Sequence, residues 1–582
     1  MWKPVSRQLA TIGVLAVLYL AFAVSVSNAY YQTILSSIPI WACLAIAWNL
    51  FSGYTGLTSF GHSAFFGLGA FVITVLQIQF GVTPWIGLGI ALALGAGAAV
   101  LIGIPTFRLR GHYFALAMLA YPMCLMYVFE WLGYTELSIP IQRDNPVAFM
   151  QFASPYTYTV LTTVAVVICL VISVFVERSR WGLMLQAIKQ DEMAARAAGI
   201  NPFGWKMAML MISGALASFA GALYVSVLLV TTPREVFGVF VSASAIIFTM
   251  FGGVGSIWGP LIGVAVLVPL GETLHAELGH HFPGLNGMVY GLAIILVMRW
   301  MPEGVFWRIY DRRRKDAPGE AAPMQRAAAV PAAQPQIVGA SLEVKGLSRA
   351  FGPIVVARDF NFRIEAGSIT GIVGPNGAGK TTLFNMINGY LMPDSGDILF
   401  DGQSLIGLPV HKRAELGFGR TFQVARVYSR LSVLDNVLAG AAAATRDMDE
   451  ARSRALWACE IAELGGKLDA PASSVSAYDV RLIEIARALA ARPRLLLLDE
   501  TLAGLSTEEA FEVVRVVRKL NELGITIVII EHTMAAMVDL VERMVVLDRG
   551  IVIADGKPRE VLKDKGVITA YLGPKWTERA EG

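Results

Sequence analysis

The stretch "SITGIVGPNGAGKTTLFNMI", residues 368–387, passes from an apolar, strand-like run through a glycine-rich turn into a helical pattern. Gly374, four residues, Gly379, Lys380 and Thr381 complete the spacing at which backbone amides wrap a phosphate chain. Glycine suits such a turn because it accepts backbone conformations other residues avoid and lets the main chain come close to a ligand. Lys380 supplies charge to neutralise the β- and γ-phosphates, and the Thr381 hydroxyl is suited to ligate Mg²⁺. A strand before and a helix after argue against a chance match, so this part of the chain is expected to be an α/β P-loop NTPase domain that takes ATP and Mg²⁺.

The rest of such a site is expected downstream. "RPRLLLLDE", residues 492–500, is a hydrophobic strand ending in Asp499 and Glu500. Asp499 is expected to hold the metal through water, and Glu500 to polarise the attacking water. An acidic pair that merely closes a strand is the alternative, and the upstream loop weighs against it.

The other half of the chain is written for a different solvent. The 582 residues are 55% hydrophobic and 16% charged, and from Gln8 to Phe107 there is no Asp, Glu, Lys or Arg. After Ser341 the composition is that of an ordinary soluble domain. Hydrocarbon offers unpaired amides no partner, so a crossing segment is a helix of ~20 mostly apolar residues. Stretches of that kind run over 10–29, 35–51, 63–80, 85–105, 112–132, 156–176, 207–229, 238–255, 258–274 and 284–300. They predict an α-helical polytopic membrane domain of about ten spans, two of the shorter being candidates for re-entrant segments.

Threading these spans from a cytoplasmic start puts Lys3, Arg7, Arg108, Arg110, Arg178, Arg180, Lys189, Arg196, Lys206, Arg299 and Arg308 inside. Only Arg143 and Arg234 fall outside, which is the asymmetry a bacterial-type membrane topology requires. The N-terminal run through Ala29 has no convincing cleavage site and reads as a retained span. The chain reaches the cytoplasm at "DRRRKD", residues 311–316. A Pro- and Ala-rich tether follows, giving expected domains of 1–310 (membrane), 311–340 (linker) and 341–582 (ATP-binding). A formal net charge of +3 gives no support to a nucleic-acid partner. Cys43, Cys124, Cys169 and Cys459 lack any paired spacing and read as packing residues.

Three local features of the membrane half have more than one reading. "GYTGLTSFGHSAFFGLGAF", Gly53 to Phe71, crowds small residues into a membrane stretch, which serves either close helix packing or a broken helix lining a path. His62 within it is either a substrate contact or a histidine hydrogen-bonded inside the bundle. "HAELGHH", His275 to His281, reads as a solvated segment between spans, because no matching ligands stand elsewhere on the outer side.

The loop 178–206 carries Met193-Ala194-Ala195-Arg196-Ala197-Ala198-Gly199, which resembles the alanine-alanine-three residues-glycine element of ABC importer permeases. There the element is a coupling helix seated in the ATPase, and the matching residues here are Glu192, Ala194, Ala195 and Gly199, with Met193 where glutamate is usual. A surface helix capped by Gly199 is the plainer reading. Residues 342–573 resemble an ABC-transporter ATPase. The resemblance makes Phe351 in "RAFG" the adenine-stacking aromatic, Gln423 in "GRTFQ" the glutamine that senses metal and water, and His532 the switch histidine. It extends the phosphate loop to Asn376, Gly377 and Thr382, and assigns Mg²⁺ to Thr381, Gln423 and Asp499.

More narrowly, the chain resembles the high-affinity branched-chain amino acid transporters. "AWNLFSGYTGLTSFGHSAFFGLGAF", "RLRGHYFALAMLA" and "FGGVGSIWGPLIG" are similar to their second permease; "RTFQVARVYSRLSVLDNV" and "ITAYLG" are similar to their first ATPase. The resemblance implies an ATP-driven importer subunit of the inner membrane with its ATPase domain in the cytoplasm. It implies a second permease, a second ATPase and an extracytoplasmic binding protein as partners. Urea, amides and aromatic acids are alternative substrates within the family, and an ABC half-exporter or a membrane-tethered regulatory ATPase are alternatives outside it.

One element departs from the family. Its signature resembles Leu-Ser-Tyr-Gly-Gln-Gln-Arg, and here reads Val475-Ser476-Ala477-Tyr478-Asp479-Val480-Arg481. In such ATPases each ATP lies between one chain's phosphate loop and the other's signature. Tyr478 is expected to add bulk there, and Asp479 to add negative charge beside a polyanion. A heterodimer with one degenerate site is therefore expected; a divergent signature that still works is the alternative. Thr501 and Ser506 also depart from the usual residues.

Overall fold

Helices satisfy their own amides, and the apolar first half of the chain is predominantly helical among the described residues. The computed structural model describes residues 5–109, 111–142, 144–278, 285–301, 303–309, 336–531 and 534–572. Most of the expected linker 311–340 lies outside them. The chain divides into two compact units, Met1–Lys189 with Phe203–Met324, and Gln190–Pro202 with Gln325–Gly582. The second unit therefore takes in a short segment from the middle of the membrane half.

In chain order the helices of the first half are α1 (Val5–Ser25), α2 (Ala29–Trp48), α3 (His62–Phe80), α4 (Pro84–Thr106), α5 (His112–Trp131), α6 (Pro155–Arg178), α7 (Arg180–Gln190), α8 (Glu192–Ala197), α9 (Pro202–Leu228), α10 (Pro233–Val236), α11 (Val239–Gly252), α12 (Gly259–Leu278) and α13 (Leu285–Trp300). Among the described residues, eight helical stretches are long and apolar enough to cross a membrane. Apolar stretches of α12 and α13 are shorter and occupy the last two expected spans. A two-stranded ribbon, β1 (Leu137–Ser138) with β2 (Val230–Thr231), joins the loop after α5 to the end of α9.

Burial separates the helices by role. The core helix is α2, where Cys43, Leu44, Ala45 and Ala47 are fully buried, packed against α6, α11 and α12. Helices α1 and α5 expose most of their apolar side chains, as lipid-facing helices do. At its end α2 widens into a π turn, Asn49–Gly53, and the helix is broken until α3 starts at His62.

The second unit is built on sheets. An antiparallel sheet has the order β4 (Ile354–Ile364), β3 (Leu342–Phe351), β6 (Ser395–Phe400), β7 (Gln403–Ser404). The other sheet has the order β12 (Ile551–Gly556), β11 (Arg543–Asp548), β5 (Ile369–Val373), β10 (Thr526–Ile530), β9 (Leu495–Asp499), β8 (Phe418–Arg420). Apart from β12 its neighbours run parallel. Strands buried on both faces read as unbroken apolar runs, and "LLLL" in β9 and "IVII" in β10 are such runs. The phosphate loop leaves the end of β5 and enters α14 (Lys380–Asn388), so loop and acidic pair share one end of the parallel sheet. The remaining helices used below are α15 (Val410–Glu415), α16 (Val433–Ala444), α17 (Met448–Ile461) and α18 (Ala477–Ala490).

Candidate functional site

The phosphate loop shows why its glycines are glycines. Gly374, Gly377 and Gly379 have φ of 157°, 84° and 100°. A Cβ on Gly374 would stand 2.2 Å from the Leu547 carbonyl oxygen, and one on Gly379 2.4 Å from that of Val356. Lys380 opens α14 and is buried, its Nζ donating to the carbonyls of Gly374 (2.7 Å) and Pro375 (3.0 Å). Burial lowers its pKa, with the carboxylates of Glu500 and Asp499 pulling the other way. Asn376 and Thr381 are exposed and Thr382 is half-buried on the first turn. At the far end of α14 the buried Arg413 of α15 donates to the carbonyls of Met386 (2.8 Å) and Ile387 (2.6 Å), a cation at a helix C-terminus. Phe351 ends β3 with its ring half exposed and the Arg349 guanidinium 5.0 Å from its centroid.

Beside the loop, Asp499 ends β9 and Glu500 follows it, both buried. Asp499 Oδ2 accepts from Arg420 Nη2 at 3.1 Å, and its Oδ1 is buried without a hydrogen-bond partner among the described residues. Burial raises the Asp499 carboxyl above its ordinary pKa, opposed by Arg420. A buried carboxylate oxygen left open beside a phosphate loop is a donor a hard cation fits, and the exposed Thr381 hydroxyl is a second oxygen of the right kind. Glu500 has φ of 47°, a backbone region non-glycine residues avoid, and its amide is fixed by the Ile530 carbonyl (2.9 Å). Its Oε2 accepts from Gln423 Nε2 at 2.6 Å, which unites two of the expected residues.

The signature segment is built differently from expectation. Ser476 caps α18: its Oγ accepts from the Asp479 amide (3.1 Å), while Asp479 Oδ2 accepts from the Ser476 amide (3.1 Å) and hydroxyl (2.7 Å). Lys467 Nζ sits 2.7 Å from both Asp479 oxygens. Asp479, expected to add negative charge beside a polyanion, has its carboxylate buried, paired with Lys467 and bound into its own helix start. Burial alone would raise its pKa, but the donors from Lys467 and Ser476 outweigh it and hold the carboxyl below the ordinary range. Ala477 is exposed and Tyr478 half-buried.

One face of α18 grips the segment around Gln423. Arg481 donates to the carbonyls of Phe422 (2.9 Å) and Gln423 (2.8 Å), Glu484 accepts from the Arg426 amide (2.8 Å), and Arg487 donates to the Arg426 carbonyl (2.7 Å). Residues three apart share a helix face, so 481, 484 and 487 form a row.

The same unit contains α8. Asp191 caps it, accepting from the Ala194 amide (2.8 Å), and Gly199 ends it at φ of 90° with its amide on the Arg196 carbonyl (3.0 Å). Ala194 and Ala195 are buried, and Glu192 pairs with Arg196 along the helix. Asp191 Oδ2 accepts from Arg426 Nη1 (2.7 Å), Gln190 Oε1 from the Arg430 amide (2.9 Å), and the Met193 carbonyl from the Tyr390 hydroxyl (2.7 Å). The last contact uses the Met193 backbone and not its side chain. A gap of ≈ 10 Å³ between Ala194, Ala197, Ala414 and Ala488 holds at most one water and is a packing seam.

In the membrane unit, His62 is fully buried, with Nδ1 3.0 Å from Ser59 Oγ and Nε2 2.7 Å from Ser213 Oγ. Ser213 gives its hydroxyl hydrogen to the Ala47 carbonyl (2.6 Å), so it accepts from His62 Nε2–H and Nδ1 accepts from Ser59. Every hydrogen-bonding atom of the ring is used inside the bundle, which favours the second reading of this histidine. Over Gly53–Phe71 the helix is broken, and a Cβ on Gly69 would meet the Ser218 carbonyl oxygen at 1.8 Å, as close helix packing requires.

His532 and Gly279 to His281, the end of "HAELGHH", lie outside the described residues. Among the described residues no group of three metal-ligating side chains forms. Sequence reasoning missed Arg420, Tyr390, Arg426, Asp191 and Lys467. Asp191 alone left a signal, an N-capping residue directly before a helical run.

A family model for "Branched-chain amino acid transport system / permease component" matches residues 30–298, and one for "ABC transporter" matches residues 357–503. The high-affinity branched-chain amino acid transport ATP-binding protein BraF of Pseudomonas aeruginosa is 34% identical over 248 residues, 40% of this chain and 97% of that protein. LivG of Escherichia coli K12, of the same description, is also 34% identical over 248 residues with the same coverage. The lipopolysaccharide export system ATP-binding protein LptB of Escherichia coli K12 is 37% identical over 237 residues, 40% of this chain and 98% of that one. A solved ATP-binding cassette of an ABC transporter in its ADP conformation is 27% identical, covers 40% of this chain and 99% of its own, and has a TM-score of 0.38.

Proposed function

Because the chain belongs to the ABC transporter family and carries a permease domain and an ATP-binding domain on one polypeptide, we propose that it is the permease-plus-ATPase subunit of an importer for branched-chain amino acids or related small amphipathic solutes. The fusion carries this reading: a branched-chain-type permease stands in the same chain as an ATPase similar to branched-chain transport ATP-binding proteins. The ATPase half alone does not choose a direction, since its likeness to an export ATPase is as high. Direction and substrate rest on the permease half.

In this reading ATP lies with its phosphates against Gly374, Asn376, Gly377, Gly379, Lys380 and Thr382, and its adenine on Phe351. Thr381, Asp499 and Gln423 would hold Mg²⁺, which when bound offsets the phosphate charge. Glu500, oriented by Gln423 at 2.6 Å and by a fixed amide, polarises the attacking water and takes its proton. His532 is assigned to the γ-phosphate. The row Arg481, Glu484, Arg487 holds the Gln423 segment to α18, and Arg426 holds that segment to Asp191. Events at the γ-phosphate thereby reach residues 190–202, which the chain enters from and leaves to the membrane unit.

Because Tyr478 stands where the family has a glycine, the working site in this reading is formed by this chain's phosphate loop and the signature of a different ATPase, so the ATP pair is a heterodimer. A second permease, an extracytoplasmic binding protein and an inner-membrane location with the ATPase in the cytoplasm complete the proposal. The test is uptake of labelled leucine, isoleucine, valine, glutamate, urea and benzoate in the native host, wild type against Glu500→Gln. Loss of one class in the variant assigns substrate and direction together. Unchanged uptake of all six rejects the importer reading for these solutes and reopens export.

A further inference from the structure

Arg420 is a buried arginine with three neighbours drawn from distant parts of the second unit. Its side chain is 4% exposed, and that of its partner Asp499 is 2% exposed. Nη2 donates to Asp499 Oδ2 (3.1 Å) and Nη1 to Asn385 Oδ1 on α14 (2.9 Å). The guanidinium also lies over two rings, 5.5 Å from the Tyr390 centroid and 5.2 Å from that of Phe422. Tyr390 in turn donates its hydroxyl to the Met193 carbonyl at 2.7 Å. A planar guanidinium offers hydrogen bonds along its edge and its face to a ring at the same time, which a lysine does not.

These contacts make a continuous line from the acidic end of β9 to α8 that does not pass through Gln423. We propose that Arg420 and Tyr390 are positioning residues of a second relay, in which Arg420 orients Asp499 and Tyr390 carries any shift of Arg420 to the backbone of residues 190–202. The proposal rests on the nucleotide-site reading above. Asp499 Oδ2 is held by Arg420 while Oδ1 is open, so a cation arriving at this carboxylate competes for or redirects its hold on the guanidinium. The guanidinium cannot move without changing its stacking on Tyr390. Tyr390 cannot move without changing its bond to Met193.

The experiment uses the full-length protein assembled with its partner subunits and carrying Glu500→Gln, so that bound ATP persists. Hydrogen–deuterium exchange of the backbone over 190–202 is measured with ATP plus Mg²⁺ and with ATP plus EDTA, and ATP affinity is followed with a fluorescent analogue. Adding Tyr390→Phe keeps the ring over Arg420 and removes only the hydroxyl. It is expected to reduce the Mg²⁺-dependent change in exchange about fivefold, the scale of one hydrogen bond, with ATP affinity within about twofold. Arg420→Met is expected to reduce the response at least as far as Tyr390→Phe does, leaving what passes through Gln423 and Arg426, and Arg420→Lys to restore part of it. A Tyr390→Phe protein that responds as its parent does, or a parent with no Mg²⁺-dependent change over 190–202, overturns the relay and leaves the nucleotide site standing. Failure of the parent to bind the labelled ATP, with Lys380→Ala no weaker, overturns the nucleotide-site reading and the relay with it.

Discussion

The phosphate loop and the signature segment are both expected to meet a phosphate group at a helix start, and one has kept its glycines while the other has none. The phosphate loop needs them for its own geometry: three glycines at positive φ, two of them with a carbonyl oxygen where a Cβ would be. The start of α18 makes no such demand. Ser476 has φ of −68°, and the turn closes through a capping box that any residue at 477 and 478 allows. Glycine loss there does not disturb the fold, so a signature glycine would answer to a ligand rather than to the chain. The two regions thus separate what folding requires from what binding requires.

The sharpest way to break that comparison is to remove a glycine the fold uses. Gly379→Ala places a methyl 2.4 Å from the Val356 carbonyl oxygen at φ of 100°. Strain and displacement of the loop are expected to weaken ATP binding at least about a hundredfold, read with a fluorescent nucleotide. Binding within about threefold of wild type would show that the loop adapts and that its glycines, too, are a matter of ligand alone. The opposite substitution restores a glycine that the fold does not use. Tyr478→Gly is expected to change melting by little, about 1 kcal/mol or less in stability, and to raise ATP hydrolysis of the assembled complex severalfold. Unchanged hydrolysis would remove the idea that Tyr478 obstructs a composite site.

How far the sequence could be read follows the same line. Gly374, Gly379, Lys380, Asp499 and Glu500 were legible because a local backbone and one ligand fix their spacing, and the structure gathers them at one end of the parallel sheet. The apolar stretches were legible because lipid imposes a length on each helix. Arg420, Tyr390 and the Arg426–Asp191 pair were not, because their partners lie far along the chain, 235 positions apart in the last case. The same holds for His62 toward Ser213, 151 positions along the chain, though its other partner, Ser59, is only three positions away. The partners of Asp479 went unread for a nearer cause: its place three residues after a capping serine directs it back to the helix start, where Lys467 also reaches it.

The last consequence of the comparison is a pH dependence confined to the signature helix. The Asp479 carboxyl is held below its ordinary pKa by Lys467 and Ser476, so its ionised form favours the folded state. Its contribution is therefore fully present above the unfolded carboxyl value of about 4 and fades as pH falls through the lower folded value. Asp479→Asn keeps the size of the side chain and removes the charge. At pH 7 the variant is expected to lose about 1–2 kcal/mol through a weakened cap and a broken pair with the half-exposed Lys467, a fall of roughly 2–6 °C in the melting of the ATP-binding unit. Melting followed from pH 7 down to pH 3 should show the gap between the two proteins begin to narrow below about pH 4, as protonation of Asp479 brings the wild type toward the state the variant already has. A gap that stays constant over that range would mean that the carboxylate's charge does not stabilise α18. Asp479 would then stand as a charge that neither its cap nor Lys467 stabilises, and the expected unfavourable charge beside a phosphate would no longer be offset by its pair.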